Sequence, residues 1–216
     1  MKKNAILFVL FVLPIVAYLF FASGINNFTK LPTVTRNVND FGQWKDLNGE
    51  TVSLNGKITV LGFGGTDVLK NRGTLFNLAQ KIFERYHDFT DLQFVTVCPV
   101  GTEKDVQYIS RQLATISDMS HWHFVFAKPE EIQSFYNGLK LKGKLNGQFA
   151  TPNVFIIDKE RNLRGRKGDE YKEGYDTFHQ SELSNKMLDD FKVILYEYRA
   201  ALKKNHNATR TLDNEK

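Results

Sequence analysis

Residues 58–97 read ITVLGFGGTDVLKNRGTLFNLAQKIFERYHDFTDLQFVTV. The two ends, residues 58–63 and 92–97, are largely apolar runs without the polar alternation of a half-exposed strand. Each reads as a strand buried on both faces, the form a sheet takes when helices cover both of its sides. Between them, from Thr74 onward, Leu75, Leu78, Ile82 and Phe83 recur at helical spacing and mark one apolar face. The stretch is a strand–helix–strand unit. The loop that joins its first strand to its helix lies within FGGTDVLKNRGTL, residues 63–75, and holds no cysteine.

Working outward, residues 44–54, WKDLNGETVSL, carry short runs on either side of Asn48-Gly49. That pair tolerates positive φ and predicts a two-residue hairpin. Residues 102–113 place Val106, Ile109 and Leu113 on one helical face behind a candidate cap at Thr102. A strand is expected at 122–126, a short helix at 128–136 opened by Pro129 in the first turn, and a buried strand at 154–157. DKERN, residues 158–162, fits a hairpin turn. Residues 181–203 form an amphipathic helix through Leu183, Met187, Leu188, Phe191, Ile194, Leu195 and Tyr198, suited to covering one sheet face. The order predicts a three-layer α/β/α domain over residues 41–203, preceded by a linker at 24–40 and followed by a polar tail at 204–216.

Lys2 and Lys3 precede an uncharged run, AILFVLFVLPIVAYLFFA, residues 5–22. Its length is close to the roughly 20 residues a helix needs to cross about 30 Å of hydrocarbon. It reads as a transmembrane anchor within residues 1–23. A cleaved signal peptide is the rival reading, with Ala22-Ser23-Gly24 as the processing site, but a signal's apolar region is only about 7–15 residues long. The lysines favour a cytoplasmic amino terminus. The domain would then be extracytoplasmic, on the periplasmic side of a bacterial inner membrane.

The formal charge is +5, yet the charges are interleaved: Lys140, Lys142 and Lys144 follow Glu130 and Glu131, and Asp169 and Glu170 interrupt the basic residues between Arg161 and Lys172. A nucleic-acid partner is therefore not expected, since its binding stripe should cluster Lys and Arg with stacking aromatics. Cys98 is the only cysteine of the 216 residues, which excludes an intramolecular disulfide and two-thiol redox cycling within the chain.

Taken in order, GKITVLGFGGT, LQFVTVCPVGTEKDVQYI, WHFVFAKPEEI and VFIIDKERNLRG resemble the Sco (SenC) family of membrane-anchored, thioredoxin-fold proteins that help assemble the copper site of cytochrome oxidase. The resemblance runs from about residue 44 to residue 195 and rests on order and spacing. It implies a thioredoxin-like fold and a site in the loop after the first long strand, where the family pattern FGYTxCPxxCP and a later histidine hold copper. Laid without a gap on this chain, Phe63, Gly64 and Thr66 match. Val68 and Arg72 stand at the cysteine positions, and the register that places the histidine falls on Ala150. Thiolate and imidazole are the donors a soft cuprous ion takes, and valine with a permanently charged guanidinium supplies neither. No copper or other cofactor is expected. A peroxidase reading fails too, because Thr66 is present without the cysteine that would accompany it.

The degenerate loop residues Thr66, Asp67, Val68 and Arg72, with Thr151 and Pro152 before the last buried strand, make up the candidate site. The resemblance places Thr151-Pro152 where thioredoxin folds commonly carry a cis proline, and its edge could pair with an extended peptide. Cys98 would act as a thiol only if exposed and with a lowered pKa. His121 and His123, two apart on a strand, share a face and could clip a metal if a third ligand converged. The leading expectation is a non-catalytic binding or assembly module with a protein partner. The alternative is a thiol-dependent or metal-binding factor using Cys98 or His121 and His123.

Overall fold

A computed structural model describes residues 8, 10–16, 30–166 and 174–213, with side chains through Leu202. The strands are β1 Thr33–Thr35, β2 Lys45–Asp46, β3 Ile58–Gly64, β4 Leu92–Pro99, β5 Trp122–Ala127, β6 Ala150–Ile157, β7 Leu163–Arg164 and β8 Tyr175–Asp176. The helices are α1 (72–86, with a π-helical turn at Ala79–Phe83), α2 Glu103–Leu113, α3 Pro129–Gly138 and α4 (180–213, with a π-helical turn at Leu183–Met187).

The sheet runs β1-β7-β6-β3-β4-β5-β2, and β8 pairs with β6 beside that path. β3, β4 and β5 are mutually parallel, joined through α1 and α2, while β6 lies antiparallel to β3. The central strands β3 and β4 are buried at every position, as their unbroken apolar runs require. Successive residues feed opposite faces. Val60, Phe94 and Phe124 pack on one side with Phe83 of α1, Ile109 of α2 and Phe191 of α4. Leu61, Phe63, Val97 and Phe155 pack on the other with Phe135 of α3, Phe41 and Leu54. Helices thus cover both faces, and the expected three-layer α/β/α domain with a thioredoxin-like core is what forms.

Several local expectations are corrected. Residues 30–40 were expected to be linker, yet Thr33–Thr35 pairs with β7, and Leu31 and Val38 are buried. The turn at Asn48-Gly49 forms, with the Asp46 carboxylate accepting the Asn48 and Glu50 N–H groups at 2.8 and 3.0 Å. The two runs beside it do not make a full hairpin: β2 pairs with β5, and only Lys45 bridges to Thr51. Thr102 does not cap α2 through its side chain; its hydroxyl donates to the Pro99 carbonyl at 2.8 Å. The helical backbone continues to Asp213, into the stretch expected as a polar tail.

Of the apolar run 5–22, residues 8 and 10–16 are helical and the remainder lies outside the described residues. Among the described residues no helix is long and apolar enough to cross a membrane.

Candidate functional site

The loop after β3 is fixed at its base by Gly65, whose φ of +73° suits a residue without Cβ. A Cβ there would stand 2.5 Å from the Gln148 carbonyl oxygen and 2.6 Å from Ala150 Cβ, so the loop leaves β3 in contact with the start of β6. The Thr66 N–H donates to the same Gln148 carbonyl at 2.9 Å. Two further bonds close the loop from within. Asp67 accepts the Lys70 N–H at 3.2 Å, and the Asn71 side-chain amide donates to the Gly64 carbonyl at 3.2 Å. Polar groups thus hold the turn from within.

Within this frame Val68 is fully buried as part of the core under α1, Thr66 and Arg72 are exposed, and Asp67 is half-buried. Arg72 opens α1. Thr151 lies across from Phe63 through the β3–β6 pairing, with Pro152 next to it, so the fold does bring the loop and the Thr151-Pro152 edge together. Ala150, paired with Gly64, is buried and apolar. The Thr151–Pro152 bond is trans.

One contributor was not legible in the sequence. The segment that follows β8 lies along the outer side of Pro152: the Thr177 N–H and hydroxyl both donate to the Pro152 carbonyl, at 3.0 and 2.7 Å. The expected open edge there is therefore covered by the chain itself. Asn77 of α1 holds the segment from the other side, its amide donating to the Thr177 carbonyl at 3.0 Å. The next residue, Phe178, is 70% exposed beside exposed Pro152 and α1. Its signal was weak because an aromatic in a turn has no period to reveal it. A cavity of about 20 Å³, room for about one water, is lined by Val68, Asn71, Thr74, Thr96, Thr151 and Thr177, where these three segments meet.

Cys98 sits at the end of β4, fully buried, with its sulfur against Gly64. Burial pushes its thiol up to about 12, a shift that the Gly64 backbone only partly offsets. A nucleophilic thiol needs exposure and an easily formed thiolate, and this one has neither. Cys98 and Val68 therefore belong to the packing beneath the loop.

His121 and His123 are half-buried, His121 just before β5 and His123 within it. His123 Nδ1 lies 3.4 Å from the Asp46 carboxylate that organises the turn after β2. Among the described residues no group of three or more His, Cys, Asp or Glu side chains could hold a metal ion.

No family model matches the sequence, and no curated protein matches it. Solved structures do match the fold. BsSco, a member of the Sco family of cytochrome c oxidase assembly proteins, aligns with a TM-score of 0.53 at 13% identity, over 76% of this chain and 97% of BsSco. A SCO1/SenC family lipoprotein from Bacillus anthracis aligns with a TM-score of 0.54 at 16% identity, over 76% of this chain and 99% of the lipoprotein. The chain therefore carries the thioredoxin-like fold of these Sco and SenC structures, and with Cys98 as its one cysteine it lacks the CxxxC pair of the Sco motif.

Proposed function

We propose that this protein is a membrane-anchored, extracytoplasmic thioredoxin-like docking module that works without redox or copper chemistry, in the assembly of a respiratory oxidase. The observation that carries the reading is the placement of Val68, Arg72 and Ala150. The position of one expected thiolate is a core valine, that of the other is an exposed guanidinium, and that of the imidazole is a buried methyl. The frame around them is kept, since Gly65, Thr66 and Asn71 still tie the loop to β3 and β6. A surface held in shape after its donor atoms have been replaced suits binding rather than reaction. Exposed Arg72, Pro152 and Phe178 supply a charge and two apolar contacts for a protein partner. Arg72 suits a bidentate contact with a carboxylate. Residues 5–22 would tether the domain, with the amino terminus cytoplasmic. Oxidase assembly enters from what the Sco structures are named for.

The test is an anaerobic titration of the purified full chain with Cu(I) against a competing chelator, together with crosslinking in native membranes. Stoichiometric copper uptake that persists in Cys98→Ser would overturn the reading. Capture of an oxidase subunit or an oxidase assembly factor, with no copper taken up, is the expected result.

A further inference from the structure

The point where the domain begins is fastened to the closing helix. The Leu31 N–H donates to Glu197 Oε1 at 2.9 Å, and the Leu31 carbonyl accepts from Arg164 Nε at 2.9 Å. Arg164 in turn pairs with Glu197 and Asp158 at 2.9 and 3.0 Å. Residue 31 is thus held on α4 at the point where the helix leaves the body of the domain. Leu195 is the last buried residue of α4 among those described, and the backbone continues as helix to Asp213. From Arg199, the first of the exposed residues 199–202, fifteen residues at 1.5 Å each make that extension about 22 Å long.

The charge of the extension is one-sided. Residues 199–210, RAALKKNHNATR, carry Arg199, Lys203, Lys204 and Arg210 with no acidic residue, a formal +4 with His206 neutral, against +5 for the whole chain. Residues 161–167, RNLRGRK, also carry four basic residues and no acid, but Arg164 and Arg166 there are paired with Asp158, Glu197 and Asp190 within the domain. Leu202, at 44% exposure, and exposed Ala200 and Ala201 add apolar surface at the start of the stretch.

We infer that the basic extension of α4, residues 199–210, lies on the anionic lipid surface of the membrane in which the chain is anchored. The inference rests on the anchor reading of residues 5–22. Only eight residues separate Ala22 from Leu31. At full stretch they span about 30 Å, so Leu31, and the helix fastened to it, cannot be far from the bilayer. Polybasic segments next to a membrane are drawn to anionic headgroups, and the attraction fades within a screening length of about 8 Å at physiological salt. The tether keeps Leu31 within about 30 Å of the bilayer, and a helix about 22 Å long leaving from that point can bring its basic residues to the headgroups. With the amino-terminal anchor and this helix both on the bilayer, the domain would be held in one orientation, not left to swing on its tether.

The test uses the full chain reconstituted in vesicles, with Thr209→Cys carrying a fluorophore; Cys98 is buried and remains unlabelled in the folded protein. The vesicles are phosphatidylcholine alone, or equal parts phosphatidylcholine and phosphatidylglycerol, each with brominated acyl chains as quencher. The expected result is quenching in the anionic vesicles. It should be lost in neutral ones, in about 1 M salt, where the screening length is about 3 Å, and in Lys203→Glu/Lys204→Glu/Arg210→Glu. Quenching that ignores both lipid charge and charge reversal, or none in any vesicle, overturns the proposal. Alkaline carbonate extraction of the same vesicles separates the two readings. A chain that stays with the lipid but is not quenched sinks the helix contact alone, and a chain that is extracted sinks the anchor and the contact together.

Discussion

Cys98 Sγ is packed against Gly64 so closely that a Cβ at position 64 would stand 2.9 Å from the sulfur, and 3.0 Å from Val68 Cγ2. The end of β3 and the end of β4 approach each other beneath the loop with no room for a methyl group. Gly64→Ala should therefore overpack this spot and cost about 1–3 kcal/mol in urea unfolding. In Gly64→Ala/Cys98→Ala the loss should be smaller than the sum of the two single changes, because one of the crowding atoms is gone. Strict additivity would show that the strain is relieved elsewhere.

The same burial makes the thiol inert. With its value pushed up to about 12 from an ordinary value near 9, the folded thiolate fraction at about pH 8 is smaller by about a thousandfold, and alkylation should be slowed at least as much. Mass spectrometry after iodoacetamide treatment, native against urea-denatured, checks this. Stability follows with a definite sign. Below about pH 9 both folded and unfolded thiols are protonated and the contribution is complete; above it the unfolded chain loses its proton first, so stability falls as pH rises toward 12. The slope from this one group is at most about 1.4 kcal/mol per pH unit. Cys98→Ala should flatten that fall, and rapid native labelling at neutral pH would contradict the whole account.

Asp190 on α4 is the anchor for Tyr175 of β8 and for Arg166. It is 4% exposed, accepts the Tyr175 hydroxyl at 2.8 Å and pairs with Arg166 at 2.7 Å. Asp190→Ala leaves a buried hydroxyl and a guanidinium without their shared carboxylate and should destabilise by about 3–5 kcal/mol. Asp189→Ala, next to it but with an exposed side chain, should change stability by less than about 0.5 kcal/mol. Equal midpoints for the two variants in thermal or urea unfolding would remove this network from the account of the fold.

What the sequence shows and hides divides along the range of the interaction. The β3–α1–β4 unit, the face of α2 through Val106, Ile109 and Leu113, and the DKERN turn are legible because their causes are local. In that turn the Asp158 carboxylate accepts the Asn162 N–H at 2.7 Å and Arg161 takes a φ of +60°. β1 and β8 are hidden because each is a strand only by virtue of a distant partner, Arg164 for Thr33 and Val154 for Tyr175. The candidate site divides the same way. The resemblance sets Val68 and Arg72 at the positions expected of the donors, but only the fold shows that Val68 and Cys98 pack beneath one glycine, and that Thr177 closes the edge at Pro152.

That closed edge directs the last prediction. A partner cannot pair with the Pro152 carbonyl without displacing Thr177, so binding should use what remains exposed on either side, Arg72 at the start of α1 and Phe178 beyond β8. Arg72 can offer a carboxylate two parallel N–H bonds, and Phe178 an aromatic face that is 70% open to solvent. Arg72→Ala should weaken capture by about 1–3 kcal/mol through loss of a charge-assisted contact, and Phe178→Ala by a comparable amount if the ring is buried on docking. Neither residue is held in the core, so unfolding midpoints should stay within about 0.5 kcal/mol of wild type. Photocrosslinking in membranes, followed by comparison of the captured proteins for wild type, Arg72→Ala and Phe178→Ala, is the measurement. Identical profiles for all three would mean that this end of the sheet is a structural remnant and that the partner binds another face.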